Sequence, residues 1–443
     1  ITAHRGMGVT AKRRDHFIDG AEFFPENSMA AFIKAIALNA DALECDIHVS
    51  SDDVAMVLHG NKLRDYAFKA NFKKRIISVP TEKDRISTCT ADVLEKKYRL
   101  KTLTDIEEQL IALSEEELHA ASHKFEMLWD EYTEIQPTFN QIPTLEDLLK
   151  LCAVENEKRA SEGIPSLKLN IELKGTNAGC ITLATILQYN KTARNSQGKL
   201  PEIDPSDIIL LGRTSLGEII TAKSLLLGAK TFLDNTKGMS HKTFKKEKHH
   251  LLSPLMGTLE KEQLCDKDKN DKIKQELTHG KTARTIVEKY SKDNDIKKGR
   301  PELEVLRDFL AEVCKLSAIR TNVMLSTGDL YGKDAILSDD EDFDLKAGVH
   351  TISYDGQQLI FDCMLDHGYD GIDISLFDFE METCNTLIPA IQKLKREGRT
   401  PIMGATASNW KGVKSEQSPI TPAEAVLRAH YIAQTLDVDI ILK

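Results

Sequence analysis

Two acidic residues stand two positions apart in an otherwise apolar stretch, and a histidine follows shortly afterwards. The stretch 41–60 reads DALECDIHVSSDDVAMVLHG. Apolar and polar residues alternate from Leu43 to Val49, which is the period of a strand, so Glu44 and Asp46 share one face. Two carboxylates on one face repel each other, and a hard cation bound through oxygen ligands relieves that repulsion. The stretch therefore predicts a metal site, with a solvated acidic face as the alternative.

The same stretch carries a histidine to the end of a second strand. A polar turn at 51–53 separates the acidic strand from the apolar run 54–58, and His59 comes directly after that run. The acid pair and this imidazole are thus expected at neighbouring strand tips, with a capping or surface role as the alternative for His59. His48 is expected to be a surface residue at the end of the acidic strand, with a place lining the mouth of the site as the alternative.

Three further predicted strands end in side chains that fit the same chemistry. Their polar residues are His4 and Arg5 after the first strand, Glu172 and Lys174 in the strand at 167–175, and Arg213 after the strand at 208–212. Catalytic groups of a (β/α)8 barrel lie at the C-terminal ends of several strands. Such a fold would bring these scattered residues together.

The alternation of strands and helices predicts a parallel sheet covered by helices. About eight strand–helix units are recognisable, which favours an α/β (β/α)8 TIM barrel, and neither GxGxxG nor GxxxxGK[ST] is present to support a nucleotide-binding fold. We expect a single barrel domain over 1–443, with two mainly helical or irregular insertions at about 62–140 and about 235–320. Helices are predicted at 29–39, 91–97, 104–117, 144–160, 179–189, 216–227, 283–290, 303–316, 384–397 and 422–436, and the later strands at 322–327, 371–376, 401–405 and 439–442.

Composition limits the class of protein. The chain has 443 residues with a net charge of −10, 41% hydrophobic and 29% charged residues, which is typical of a globular protein and argues against non-specific binding of nucleic acid. No apolar run approaches the roughly 18 residues of a membrane span. The eight cysteines lack CxxC spacing, so neither a zinc site nor a disulfide framework is indicated. We expect a cytoplasmic protein, although both ends interrupt strand patterns and a signal peptide beyond them stays open.

The pooled residues describe one kind of chemistry. Three carboxylates suit Mg²⁺ or Ca²⁺, since both cations prefer oxygen ligands. Arg5 and Lys174 suit a phosphate, the first through its forked donors and the second as a point charge. His4 and His59 can divide the work of general base and general acid. A metal, cations for an anion and an acid/base pair together indicate hydrolysis of a phosphoryl ester.

Four motifs in this order and spacing resemble the glycerophosphodiester phosphodiesterase family. They are HRG at 4–6, PENS at 25–28, LECDIHVSSDDVAMVLH at 43–59 and IELK at 171–174. In the second motif Asn27 or Ser28 is predicted to cap the following helix. The resemblance implies a (β/α)8 barrel that hydrolyses a glycerophosphodiester to glycerol 3-phosphate and an alcohol with a divalent metal.

The resemblance also implies roles for individual residues. Glu44, Asp46 and Glu172 match the metal ligands, His4 and His59 the acid/base pair, Arg5 and Lys174 the positions near the phosphate, and Glu26 a supporting acid. Two departures stand out. Gly60 follows the second histidine where the family usually has an aspartate, which leaves the orientation of His59 open. The segment 404–410 differs from the usual end of the seventh strand, which leaves the substrate contacts open.

Two alternatives remain at the level of the sequence. A lysophospholipase D-type hydrolase would act on lysophospholipids through the same residues, and a wide apolar mouth or membrane-binding helices in the insertions would favour it. A non-catalytic binding protein on the same barrel is the other, and Gly60 is the feature that speaks for it. The lysine-rich segment 235–300 is expected to be a solvated insertion, with a protein partner or anionic surface as the other interpretation.

Overall fold

A computed structural model describes residues 2–7, 24–71, 76–101, 141–212, 216–252, 255, 301–325, 371–375, 396, 402–407 and 439–442. The chain divides into two compact units, Ala3–Ile203 and Ile1–Thr2 with Asp204–Lys443. Over the described residues, helices accompany a main sheet in which most strand pairs are parallel, which confirms the α/β class predicted from the alternation of strands and helices. None of the helices in the described ranges is long and apolar enough to span a membrane.

The first unit is organised around two parallel strands that run through its centre. The short strand β1 (Thr2–Ala3) has Thr2 in the second unit and Ala3 in the first. In chain order the other main elements of the first unit are α1 (Met29–Ala37), β2 (Ala42–Val49), β3 (Ala55–Val57), α2 (Leu63–Tyr66), β4 (Ala67–Asn71), β5 (Ile76–Ser78), α3 (Ala91–Lys97), β6 (Tyr98–Leu100), α4 (Leu145–Glu162), β7 (Lys168–Leu173) and α5 (Ala178–Asn195). Strand β2 pairs in parallel with β7 and antiparallel with β3, as the predicted hairpin requires. Helix α5 packs on both β2 and β3.

Local sequence explains where the helices of this unit begin and end. The Ser28 hydroxyl accepts a hydrogen bond from the Ala31 N–H at 3.1 Å and caps α1. Thr144 and Asp147 form a reciprocal capping box at the start of α4. That helix ends at Gly163, which adopts the left-handed conformation with φ 70° that favours glycine. These signals are local, so both helix starts agree with the prediction.

The first predicted insertion contains a small sheet that the sequence analysis did not predict. Strands β4, β5 and β6 form an antiparallel sheet in the order β5-β4-β6. Helices α2 and α3 flank these strands, so helical structure is also present. The buried core of this excursion includes Leu58, Leu63, Tyr66 and Leu100, and it is therefore continuous with the end of β3. Short strands of three to five residues leave little periodicity to recognise, which explains why they were missed.

The second unit is a parallel sheet with helices beside it. Its elements are β8 (Ile208–Gly212), α6 (Leu216–Thr236), α7 (His241–Leu252), α8 (Glu302–Cys314), β9 (Arg320–Leu325), β10 (Gly371–Ser375), β11 (Ile402–Ala407) and β12 (Asp439–Leu442). Strands β8 to β12 pair in parallel in sequence order. Helix α6 is longer than predicted and packs against α7 and α8. The predicted helices at 104–117, 283–290 and 422–436, most of that at 384–397, and Arg213 lie outside the described residues.

Candidate active site

Three carboxylates from two neighbouring strands form the centre of the site. Glu44 and Asp46 lie on β2 and Glu172 lies on β7, and the parallel register sets Asp46 directly opposite Glu172. One oxygen from each carboxylate lies within 4.8 Å of the other two. All three side chains are buried, with residue exposures of 0%, 0% and 4%. The strand period thus brings the predicted acids together, as their spacing in the sequence indicated.

Burial and mutual repulsion set the protonation of these acids. Burial raises the pKa of Glu44 to about 8, and the nearby carboxylates of Asp46 and Glu172 add to that rise. Among the described residues, the Oε1 atom of Glu44 has no hydrogen-bond partner. Burial alone would also raise the pKa of Asp46, but Lys174 and Arg5 hold it well below its usual value. The cluster is therefore electrostatically unequal, with one acid stabilised by cations and another crowded by acids.

Two cations reach into the cluster from different elements. The Lys174 ammonium lies 2.8 Å from Asp46 Oδ1 and 3.5 Å from Glu172 Oε1. The Arg5 guanidinium donates to Glu26 Oε2 at 2.8 Å, and its Nε lies 3.1 Å from Asp46 Oδ2. Both cations are thus placed beside the carboxylates, where an anionic substrate group would approach.

The turn that carries Arg5 is shaped by the residue after it. Arg5 itself has a positive φ of 50°, and its backbone N–H donates to Glu44 Oε2 at 2.9 Å. Gly6 has φ 70°, and a Cβ there would lie 2.7 Å from the backbone nitrogen of Phe32. The HRG motif therefore needs glycine because this turn packs tightly on the start of α1.

The PENS motif supplies a contact that the sequence analysis missed. Asn27 or Ser28 was predicted to cap the following helix, and the structure gives that role to Ser28. The Asn27 side chain donates to Asp46 Oδ2 at 2.8 Å and accepts from the Asp46 N–H at 3.3 Å. Its backbone N–H also donates to the Arg5 carbonyl at 3.1 Å. Asn27 therefore holds both the carboxylate and the neighbouring turn in place, and its place inside PENS was the only signal for it.

The two predicted histidines both border the acid cluster. His4 Nε2 lies 3.5 Å from Glu44 Oε2. His59 Nδ1 lies 3.4 Å from Glu26 Oε1 and 3.2 Å from the hydroxyl of Tyr66. Burial lowers the pKa of His59 to about 3, and the positive charges of Arg5 and Lys174 lower it further. Burial and the two neighbouring cations therefore favour the neutral form of His59.

His48 does not occupy the surface position expected for it. Its Nε2 lies 3.2 Å from the backbone carbonyl oxygen of His59, in a partly buried setting. A Cβ at Gly175 would lie 3.1 Å from its other ring nitrogen. Burial lowers the pKa of His48 to about 4, with Lys174 as the next cause. His48 therefore contacts the backbone that carries the catalytic candidate.

The donor set fits a divalent cation. The cluster combines four carboxylates with two cationic side chains, namely Glu26, Glu44, Asp46 and Glu172 with Arg5 and Lys174. With all four acids ionised, an excess of two negative charges remains, which one divalent ion would balance. The ligand atoms are oxygens only, which suits Mg²⁺ or Ca²⁺ better than zinc. Glu44 also offers the oxygen without a hydrogen-bond partner among the described residues, as a ligand site requires.

Comparison with known proteins points to one family. Residues 4–196 match the family model described as the glycerophosphoryl diester phosphodiesterase family. The matched segment coincides closely with the first unit and contains all eight predicted site residues. No curated protein matches the chain. The match agrees with the resemblance carried by the four motifs.

The chain also shows a weak similarity to several solved structures. They include a glycerophosphodiester phosphodiesterase from Agrobacterium tumefaciens (12% identity, covering 100% of this chain and 94% of that chain, TM-score 0.39). Another comes from Parabacteroides distasonis (11%, 100% and 91%, 0.36). A phosphodiesterase from Oleispira antarctica in complex with the product sn-glycerol-3-phosphate is also similar (11%, 100% and 91%, 0.35). These likenesses are low, so the assignment depends on the match over residues 4–196.

Proposed function

We propose that this chain hydrolyses glycerophosphodiesters to glycerol 3-phosphate and an alcohol. Its residues 4–196 match the glycerophosphodiester phosphodiesterase family, whose members are phosphoric diester hydrolases with the (β/α)8 TIM-barrel fold predicted above. One observation carries the proposal. An oxygen-only acid cluster, two cations and two histidines converge within a single compact unit.

Glu44, Asp46 and Glu172 are the residues that would hold the metal. The family generally uses a divalent ion, and we assign Mg²⁺ or Ca²⁺ on the chemistry of the ligands. When bound, such an ion polarises a phosphoryl oxygen and stabilises negative charge that develops in the transition state. Lys174, 2.8 Å from Asp46, keeps that ligand ionised and ready for the ion.

Arg5 and Lys174 are assigned to the phosphate of the substrate. Both side chains are buried beside the acids, with side-chain exposures of 8% and 13%, so a phosphate that reaches them is largely removed from water. Charge-assisted hydrogen bonds are stronger in such a setting than in solvent. Glu26 orients Arg5 through the 2.8 Å contact and is a supporting residue.

His59 is assigned as the general base and His4 as the general acid. Neutral His59 has its Nδ1 turned towards Glu26 and Tyr66, which leaves Nε2 to take a proton from the glycerol hydroxyl of the substrate. The hydroxyl oxygen then attacks phosphorus, and His4 gives a proton to the oxygen of the departing alcohol. Water opens the resulting cyclic phosphate with the two histidines in reversed roles, so protons balance over the cycle.

The test measures glycerol 3-phosphate released from glycerophosphocholine and glycerophosphoethanolamine with Mg²⁺, with Ca²⁺ and with EDTA. We expect metal-dependent release that EDTA abolishes and added metal restores. Glu172→Gln should lack activity, while Glu157→Gln, on the adjoining helix α4, should retain it. Cleavage of lysophosphatidylcholine without turnover of either glycerophosphodiester would overturn the proposal in favour of the lysophospholipase D-type alternative. Metal binding without turnover of any phosphodiester would overturn it in favour of a binding protein.

A further inference from the structure

Gly60 is buried beneath an aromatic ring. A Cβ at this position would lie 2.3 Å from Tyr66 Cε2, 2.8 Å from its hydroxyl oxygen and 2.9 Å from Cζ. Real Cβ atoms do not approach other atoms so closely, and Gly60 lacks the positive φ that would require glycine for its backbone. Glycine is needed here for space, because any side chain would displace the Tyr66 ring.

The Tyr66 ring in turn contacts the histidine next to that glycine. Its hydroxyl oxygen lies 3.2 Å from His59 Nδ1. The two rings meet edge to face, with centroids 5.7 Å apart and an interplanar angle of 80°. The tyrosine therefore limits both the position and the rotation of the imidazole.

Tyr66 is itself packed firmly within the first predicted insertion, the segment that contains the small antiparallel sheet. The residue is only 8% exposed and belongs to the buried cluster that includes Leu58, Leu63 and Leu100. Its backbone carbonyl accepts a hydrogen bond from the Lys101 N–H at 2.9 Å. A hydroxyl on a well-packed ring is a suitable support for a neighbouring imidazole, because the tyrosine side chain has little conformational freedom left to lose when it makes the contact.

We propose that Tyr66 is a positioning residue for His59, and that Gly60 makes room for its ring in place of the acid usual at that position. This inference rests on the proposed function, since it gives His59 its catalytic purpose. Tyr66 and Glu26 together engage Nδ1, which directs Nε2 towards the reacting hydroxyl. The excursion that carries α2 and β4 thereby completes the site.

The first test compares two tyrosine-to-phenylalanine variants from the same excursion. Tyr66→Phe keeps the ring and removes the hydroxyl, and we expect kcat to fall about tenfold with KM changed by less than about twofold, in the range for a lost supporting contact. Tyr98→Phe is the matched control, since its hydroxyl donates to Asp84 and not to the site. Wild-type kcat in Tyr66→Phe, or an equal fall in Tyr98→Phe, would overturn the proposal.

The second test separates this inference from the proposed function. Nitrogen-15 NMR of the imidazoles, with the His59 signals assigned through His59→Asn, should show the Nδ1 resonance of His59 shifted in Tyr66→Phe and unchanged in Tyr98→Phe. That shift is expected even if no phosphodiester is turned over. An unchanged resonance in Tyr66→Phe would overturn the inference while leaving the proposed function standing.

The third test is a double-mutant cycle between the glycine and the tyrosine. Gly60→Ala forces the ring away and should reduce kcat at least as much as Tyr66→Phe. If both changes act through His59, the double variant should be no worse than Gly60→Ala alone. Effects that multiply would show that the two residues act independently and would contradict the proposal.

Discussion

Two carboxylates in the first unit, those of Asp84 and Glu44, have opposite electrostatic surroundings. Asp84, in the loop that follows strand β5 of the small antiparallel sheet, accepts hydrogen bonds from the Thr81 N–H and hydroxyl, the Tyr98 hydroxyl and the Lys69 ammonium at 2.7 to 3.2 Å. Although burial would raise its pKa, these donors lower it to about 2. Glu44 has acids around it and a pKa raised to about 8.

The difference separates a carboxylate that stabilises the fold from one that we propose as a metal ligand. A fully hydrogen-bonded carboxylate is stable as an anion and has little to gain from a further cation. A buried carboxylate crowded by other acids gains much more, because a cation removes both the repulsion and the unsatisfied oxygen. The following changes test this contrast, beginning with the largest expected effect.

Asp46→Asn should nearly abolish hydrolysis. The amide is close to the carboxylate in shape but removes the charge that faces Lys174 and Arg5 and would face the metal. A bound metal ion stabilises the charge of the transition state by several kcal/mol. Loss of that stabilisation corresponds to a fall of about 10³-fold in kcat/KM. Steady-state kinetics with saturating metal would measure it. Asp41→Asn, at an exposed acid just before β2, is the control and should retain wild-type kinetics; equal activity in both variants would remove Asp46 from the site.

Asn27→Ala should weaken metal binding without removing a ligand. Its side chain makes two hydrogen bonds to Asp46, and supporting contacts of this kind are worth about 10- to 100-fold in metal affinity. Titration calorimetry with Mg²⁺ and Ca²⁺ gives the affinity. The control is Asn156→Ala, which breaks a similar side-chain bridge to the backbone of Leu167 away from the acids. An affinity unaffected by Asn27→Ala would mean that Asp46 is oriented by its cations alone.

The raised pKa of Glu44 predicts that metal affinity depends on pH. Below about pH 8 the metal-free protein holds a proton on Glu44 that the ion must displace, so affinity should fall by about tenfold per pH unit as pH decreases. Above pH 8 the affinity should become constant. Calorimetry at pH 7 in buffers of different ionisation enthalpy should detect about one proton released per ion. Binding with no proton release at pH 7 would show that Glu44 is already ionised.

Asp84→Asn should affect stability and leave catalysis unchanged. Because the folded pKa lies below the unfolded value of 3.8, the ionised form contributes stability above about pH 4, and the contribution disappears as pH falls towards 2. We expect urea unfolding at pH 7 to show a loss of about 1–2 kcal/mol, after allowance for the partial exposure of the side chain. The gap from wild type should narrow below pH 4. A loss of metal affinity in this variant would contradict the conclusion that Asp84 has a purely structural role.

Much of the site follows from local patterns. The period of two in LECDIHV and KLNIEL indicated which acids share a face, and the register of β2 and β7 sets them side by side. The start of helix α4 near residue 144 was also predicted, since the capping box at Thr144 involves side chains only three residues apart. The α/β alternation depends on the same short-range preferences, which explains why the fold class was predicted correctly.

Contacts between distant segments could not be read in this way. Asn27 reaches Asp46 across 19 residues, and its letter in the sequence also fits a helix cap. The position of His48 at the end of a predicted strand favours a surface residue, and only the tertiary structure shows its contact with the carbonyl oxygen of His59. The strands of the small sheet are too short to show a period. In each of these cases the local sequence is compatible with more than one structural role, and tertiary packing decides which role is adopted.

Gly60 and Tyr66 illustrate what each level decides. The sequence by itself determined that the acid usually found after His59 is missing, that the acids and histidines belong to predicted strand ends, and that oxygen ligands would bind a hard cation. Only the tertiary structure decided that a tyrosine six residues later occupies the space above that glycine and contacts the imidazole. The physical reason is that periodicity and residue chemistry act over a few residues, whereas close contact depends on how a whole excursion packs.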